Sequence, residues 1–353
     1  MKAWVLHGIN DLRFETVEKP EIAGGEVLVS VRAAGICGSD IPRIYRTGAH
    51  THPLIPGHEF SGVVEECDEA ADKSLLGARV GIFPLIPCKK CEPCSKQKYE
   101  MCRNYSYLGS RRNGGFAEYA AVPAENLIRL PDNVAFDEAA MFEPMAVAVH
   151  AMRRVSFADA ETIVVCGLGT IGLLLLMFLL EEEQYSSKKI IVIGNKDFQR
   201  QTAVGLGLNP ECYCDSRNKD AKKWLMERTD GKGADVFFEC VGRNETVALA
   251  VDSTAPGGRI VLVGNPDSDM VLEKAVYWKL LRNQITVTGT WNSSFTHDSN
   301  DDWHYVLNRL ARKRIDPASL ISHRFSLEHL DLGLKLMLGK SEDYVKVMGS
   351  FGG

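Results

Sequence analysis

"TIVVCGLGTIGLLLLMFLL", Thr162 to Leu180, sets a short strand-like apolar segment before a glycine-punctuated turn and a leucine-rich run. Its length approaches a membrane span, but three glycines interrupt its amino-terminal part and "EEE" follows it. A strand, a tight turn and a buried helix fit better. Gly167, Gly169 and Gly172 satisfy G-x-G-x-x-G in the context that gives the spacing meaning, directly after a strand and opening a helix. Gly167 permits the tight turn, Gly169 lets the backbone approach a pyrophosphate, and Gly172 allows close helix packing. The first helical residues, Thr170 and Ile171, supply unpaired N–H groups to the anion. The motif predicts a dinucleotide site.

On the carboxyl side, strand and helix alternate: "KIIVIG", "DFQRQTAVGLG", "ADVFFECVG", "NETVALAVDST", "GRIVLVG". Such alternation predicts a parallel, doubly wound sheet over residues 151–290, and an α/β fold class. On the amino side, residues 1–150 are short apolar segments broken by glycine and proline, such as "EVLVSVRAAGICG", "EFSGVVEEC", "GARVGIFPLIP" and "GGFAEYAAV". They predict an all-β, barrel-like unit. The last stretch is helical in "DDWHYVLNRLARKRI" and "SLEHLDLGLKLMLG" and ends in the apolar "DYVKVMGSF".

With 353 residues, 45% hydrophobic and 25% charged, the chain is an ordinary soluble composition with mass for two domains. A net charge of -5 and a sequence pI near 6.0, with Lys and Arg dispersed, give no case for nucleic acid or an anionic membrane. Small-molecule partners are the expectation. "MKAWVLHGIND" reads as a strand entering a turn and argues against an export signal. Ten cysteines, four of them between Cys88 and Cys102, favour metal binding in a reducing, cytoplasmic compartment over a disulfide framework.

An NAD site wants a carboxylate at the end of the second strand, about twenty residues beyond the glycines, to accept from the ribose 2'-OH. Here that slot holds Gly194, followed by Asn195 and Lys196, and Asp197 is read as the cap of the next helix. The missing carboxylate, with Lys196 beside it and Arg200 or Tyr213 near, favours the 2'-phosphate of NADP. The alternative is that Lys196 is a solvated loop charge and either cofactor binds.

Cys88, Cys91, Cys94 and Cys102 form a C-x2-C-x2-C-x7-C array, which can close a tetrahedron around a structural zinc. The competing readings are an iron–sulfur cluster or an empty loop of reduced thiols, and nothing else in the chain suggests electron transfer. "CGSDIPRIYRTGAHTHPLIPGHEFSG" supplies a second set: Cys37, His58 and Glu59, joined by Glu143 of "FEPMAVAVHA" at a helix start. A Cys, a His and a carboxylate that leave one position open are the donor set of a catalytic zinc. Taken singly, His58 reads as a core or surface residue and Glu59 as an ordinary buried ion-pair partner. Asp40 would accept from the other N–H of His58 and fix its tautomer.

Together "CGSD", "GHEFSG", the four-cysteine loop, "GGFAEY", "EPMAVAVHA" and "GLGTIG" resemble, in order and over nearly the whole chain, the zinc-dependent medium-chain alcohol dehydrogenase family. The resemblance implies a GroES-like catalytic domain, 1–150 completed by 291–353, a Rossmann domain over 151–290, two zinc ions, and a homodimer or homotetramer joined through the nucleotide domain. "GRIVLVGNP" is the candidate edge strand for that contact. Glu143 resembles the polyol branch, in which glutamate replaces a cysteine ligand. The wording of "CGSDIPRIYRTGAH" and "GSRRNGGFAEY" is nearest to members acting on galactitol 1-phosphate, and "IVIGNKDFQ" to those acting on ribitol 5-phosphate. One departure is Pro42, where many relatives have a proton-relaying histidine.

The expected reaction is hydride transfer between a polyol secondary alcohol and a nicotinamide cofactor, with zinc polarising the substrate oxygen. Ser39 takes the hydroxyl proton onward, through His50, ordered water or directly to solvent. Glu59 would exchange with Glu143 or water as a ligand. Arg43, Arg46, Arg111 and Arg112 are the candidates for gripping a substrate phosphate. An unphosphorylated polyol is the alternative substrate. A zinc-free reductase or a non-catalytic nucleotide sensor is the alternative of another class.

Overall fold

The structure is a computed structural model that describes residues 1–182, 189–266 and 268–351. It divides into two compact units, Met1–Ala146 with Ser293–Gly353, and Val147–Asn292. The division falls inside the helix Phe142–Met152.

The first unit is organised on the strand Glu26–Ile36, "EVLVSVRAAGI", whose apolar side chains are buried along nearly its full length. It belongs to a seven-stranded sheet and pairs antiparallel with Glu59–Cys67 on one side. On the other side its first half pairs with Tyr119–Pro123 and its second half with Lys346–Ser350, near the chain's end. Gly62 is required where the first pair meets, because a Cβ there would strike the Ser30 carbonyl. The C-terminal segment adds the helix Asp302–Ala311, whose Trp303 is fully buried. Its ring stacks on Phe142 with centroids 5.5 Å apart, and its indole N–H donates to Ser293 Oγ at 3.0 Å.

The second unit is a six-stranded parallel sheet. Its spatial order is Tyr213–Asp215, Lys189–Gly194, Thr162–Cys166, Ala234–Glu239, Thr254–Leu262 and Thr286–Gly289. The chain starts at Thr162–Cys166, winds outward one way, then returns to its other flank, which creates a topological switch point beside the glycine motif. "TIVVC" is buried throughout, as a strand covered on both faces must be. The leucine-rich run is the helix Thr170–Glu181, apolar all round because it is buried and not because it crosses a membrane. Among the described residues no helix is long and apolar enough to cross one.

The structure departs from two sequence expectations. "GRIVLVGNP" does not supply an edge: Thr254–Leu262 is paired on both sides, and the edge on that side of the sheet is Thr286–Gly289, a segment too short and polar to announce itself. Asp197 does not cap its helix, which runs Asp197–Gly205 with Lys196 at the cap position and no side-chain cap bond. The Asp197 carboxylate is bound by Arg217 instead.

Candidate active site

In the first unit Cys37 follows directly on the strand Glu26–Ile36, Glu59 opens the strand beside it, opposite Gly35 in register, and His58 is the residue just before that strand. The pairing brings one ligand atom each of Cys37, His58 and Glu59 within 4.8 Å of one another. His58 is buried, and its Nδ1 faces Asp40 Oδ1 at 3.4 Å, a contact that falls short of a well-formed hydrogen bond and is the nearest partner it has among the described residues. Burial alone would lower the His58 pKa, but the charges of Asp40 and Cys37 overcome it and hold it well above the ordinary value. The pocket therefore favours a positive charge, and a thiol, an imidazole and a carboxylate around it fit a zinc ion. Asp40 is itself fixed, accepting from the Cys37 backbone N–H at 3.0 Å and from Arg43 at 2.6 Å.

Glu59 is almost fully buried and forms an ion pair with the buried Lys346, which also donates to the Ile36 carbonyl at 3.1 Å. Gly35 makes the pair possible, since a Cβ there would run into the Glu59 carboxylate and come within 2.7 Å of Lys346 Cε. Glu143 lies in the first turn of its helix, outside the group of three, and accepts a hydrogen bond from Tyr107 Oη at 3.1 Å. The Tyr107 ring centroid is 5.8 Å from that of His58. Burial pushes the Glu143 carboxyl up to about 7, with His58 opposing and the Glu59 charge adding. Ser39 is partly buried, whereas Pro42, Arg46 and His50 are exposed.

The four-cysteine loop brings Cys88, Cys91, Cys94 and Cys102 together as well. Sulfur separations of 3.4 Å (Cys91–Cys94), 3.9 Å (Cys91–Cys102) and 4.0 Å (Cys88–Cys94) are those of unbonded thiols. Zinc–sulfur bonds of about 2.3 Å would put tetrahedral ligands at such spacings. Backbone N–H groups of Arg103 and Cys94 hold the Cys91 thiol down at about 6, while burial pushes Cys94 up to about 12. A bound cation would let all four ionise.

In the second unit a cavity of about 580 Å³ is lined by Gly167, Gly169, Gly194, Asn195, Ser216 and Arg243 among others. Gly167 adopts φ +94°, and Gly169 faces open space where a Cβ would meet nothing within 4 Å. A Cβ on Gly172 would strike the Gly167 carbonyl. Thr170 and Ile171 open the helix, but Lys196 and Arg200 are exposed and do not line the cavity. Lys196 Nζ lies 5.2 Å from the Phe198 ring. Ser216 and Arg243 escaped the sequence reading. Both follow the ends of strands near the switch point, the one signal that could have found them.

The four arginines separate. Arg43 is tied to Asp40, and Arg112 to Glu26. Arg111 lies with its guanidinium 4.6 Å from the Tyr105 ring, whose centroid is 6.1 Å from that of Tyr107. Arg111 and Arg112 both border a first-unit cavity of about 380 Å³ with Thr51 and Asn113.

Comparison with known proteins adds an independent line. Residues 23–132 match the alcohol dehydrogenase GroES-like domain, and residues 170–312 match zinc-binding dehydrogenase. The chain is 31% identical to galactitol 1-phosphate 5-dehydrogenase of Escherichia coli (strain K12), covering 89% of this chain and 91% of that one. It is 27% identical to sorbitol dehydrogenase of Bacillus subtilis (strain 168), covering 99% and 96%. Among solved structures, galactitol-1-phosphate dehydrogenase from Escherichia coli superposes with a TM-score of 0.89 at 30% identity, over 99% of this chain and 100% of that one. A zinc-binding dehydrogenase from Sinorhizobium meliloti 1021 bound to NADP gives 0.88 at 26%, covering 99% and 98%. An Escherichia coli CFT073 alcohol dehydrogenase complexed with NADH gives 0.89 at 28%, covering 99% of both chains.

Replacing Lys346 by Met strands the buried Glu59 carboxylate without a counter-charge. Loss of one partner of such a pair costs about 3–5 kcal/mol. Urea unfolding of Lys346→Met at neutral pH should show that loss; a stability within about 1 kcal/mol of the parent would mean the pair is not truly desolvated.

Proposed function

Because this chain belongs to the zinc-binding, medium-chain alcohol dehydrogenase family and is an NAD(P)-dependent dehydrogenase of its polyol group, we propose that it oxidises a secondary alcohol of a polyol phosphate, galactitol 1-phosphate or a close analogue, with NADP. The observation that carries the substrate reading is Arg111, a guanidinium paired to no carboxylate among the described residues. It stacks on Tyr105, one aromatic ring away from the Tyr107–Glu143 contact. Guanidinium groups match phosphate geometry and stack well on rings. The similarity to galactitol 1-phosphate 5-dehydrogenase supports it, and the similarity to sorbitol dehydrogenase keeps a plain polyol as the second reading.

Cys37, His58 and a carboxylate, Glu59 or Glu143, are the residues proposed to hold the catalytic zinc, and the four-cysteine loop the structural one. When bound, the zinc supplies Lewis-acid polarisation of the carbinol oxygen and the nicotinamide supplies the hydride acceptor. The chain's own residues do the rest. Asp40 orients the His58 ring from its Nδ1 side, Lys346 neutralises Glu59, and Tyr107 holds Glu143 by its hydroxyl. Ser39 takes the substrate proton straight to solvent, because Pro42 offers no relay. For the cofactor, Gly194 brings no carboxylate to the ribose, Arg217 binds both Asp215 and Asp197, and Arg243 contributes a cation to the cavity wall. That balance supports NADP, with Glu245 the one carboxylate on the wall among the described residues.

The oligomer we propose is a homodimer through the edge strand Thr286–Gly289. Val287 on that strand, Tyr277, Trp278 and Leu281 on the helix before it and Trp291 just after it are each between 44% and 56% exposed, apolar side chains that a second copy would cover while completing the strand's hydrogen bonds. The compartment is the reducing cytoplasm, in which the thiols stay free.

Nicotinamide absorbance with NADP and NAD, offered galactitol 1-phosphate, ribitol 5-phosphate and sorbitol in turn, tests the substrate. Activity should be confined to the phosphates and strongest with NADP. Arg111→Ala should raise KM about tenfold or more for the phosphate and leave any activity on sorbitol unchanged; equal effects on both would reject the phosphate grip. For the dimer, Val287→Lys should give the monomer mass by light scattering, whereas an unchanged dimer mass would assign the contact elsewhere.

A further inference from the structure

The slot at the end of the strand Lys189–Gly194 holds no carboxylate, and the structure gives a reason that lies in the neighbouring strand. Tyr213–Asp215 runs parallel to Lys189–Gly194, with Val192 opposite Tyr213 and Gly194 opposite Asp215. Alternate side chains share one face of a sheet, so Tyr213 extends over the same face as Val192 and Gly194. A Cβ built on Gly194 would lie 2.5 Å from the Tyr213 hydroxyl oxygen and 3.0 Å from Cζ. The ring cannot easily yield: Tyr213 is 5% exposed, and its hydroxyl donates to the Lys196 carbonyl at 3.1 Å.

We propose that Tyr213, which packs behind Gly194 without lining the cavity itself, determines cofactor specificity, its ring filling the volume that an acidic side chain at position 194 would need. This rests on the reading of that cavity as the adenosine end of an NADP site. Discrimination is then set by volume before charge. The nearby acids do not replace the missing one: Asp215 and Asp197 are both bound by Arg217, and neither lines the cavity. Glu245, the one carboxylate among the described lining residues, comes from the helix after Ala234–Glu239, across the Thr162–Cys166 strand from Gly194. The same tyrosine also fixes the turn that leads away from Gly194, through its bond to Lys196. A single acidic substitution at Gly194, the obvious route to an NAD enzyme, is therefore blocked.

The test is a cycle of four full-length, zinc-loaded proteins: parent, Gly194→Asp, Tyr213→Ala and the double variant. Melting temperature and calorimetric binding of two probes, 5'-AMP and adenosine 2',5'-bisphosphate, are read on each. Gly194→Asp alone should lower the melting temperature and weaken both probes. In the Tyr213→Ala background the same substitution should cost less stability and move the affinity ratio about tenfold or more toward 5'-AMP. A Gly194→Asp protein that folds only when Tyr213→Ala accompanies it is the same result in stronger form. The proposal is overturned if aspartate costs the same in both backgrounds, if neither variant carrying it folds, or if the ratio shifts as far with Tyr213 in place. A parent that prefers 5'-AMP rejects the NADP reading separately, because the comparison between backgrounds does not depend on which probe the parent prefers.

Discussion

The Glu59–Lys346 ion pair is the constraint on which the first unit turns. Taking two charges out of water costs several kcal/mol for each ion, and only close pairing with satisfied hydrogen bonds offsets it. Glu59 opens the strand next to Cys37, and Lys346 opens the strand Lys346–Ser350, so the corner of Cys37, His58 and Glu59 is incomplete until that late strand returns to it. Gly35, on the strand between them, leaves the space in which the two side chains meet. The discontinuous composition of the unit, Met1–Ala146 with Ser293–Gly353, follows from that dependence together with the burial of Trp303 against Phe142.

Both units put their chemistry just past the ends of buried strands. Cys37 follows Ile36, and Gly167 follows Cys166. Strand residues are held by ladders on both sides, and the short segments after them inherit that positioning while staying free to carry polar groups. The same logic explains why acids near these sites are matched: Asp40 by Arg43 and His58, Glu59 by Lys346, and Asp197 and Asp215 by Arg217.

What could be read from the sequence was whatever is encoded within a few residues. The glycine spacing after "TIVVC", the four-cysteine array and the Cys37 and His58–Glu59 corner are local patterns whose residue types already restrict the chemistry. The two-unit plan was legible because hydrophobic runs change period near residue 150. Contacts that depend on register between distant strands were not. Lys346 meets Glu59 across 287 residues, and its one trace in the sequence is a lone lysine inside "DYVKVMGSF". Tyr107 reaches Glu143 across 36 residues, and Tyr213 faces Gly194 only because of strand pairing. The adjacent arginines looked equivalent in sequence, yet neighbouring residues in a loop diverge, Arg111 to an aromatic ring and Arg112 to Glu26.

The proposed assignment gives the first unit two separate zinc-holding donor groups, of which only one serves the reaction. Elemental analysis of the purified chain beside Cys37→Ala and Cys91→Ala tests it most directly. Two zinc ions per chain, one for each donor group, are predicted for the parent, falling to one in either variant. Folded Cys37→Ala should retain nucleotide binding and lose turnover. Zinc undiminished in Cys37→Ala, or a single ion in the parent that Cys91→Ala removes, would contradict the assignment of Cys37, His58 and Glu59 as a metal centre.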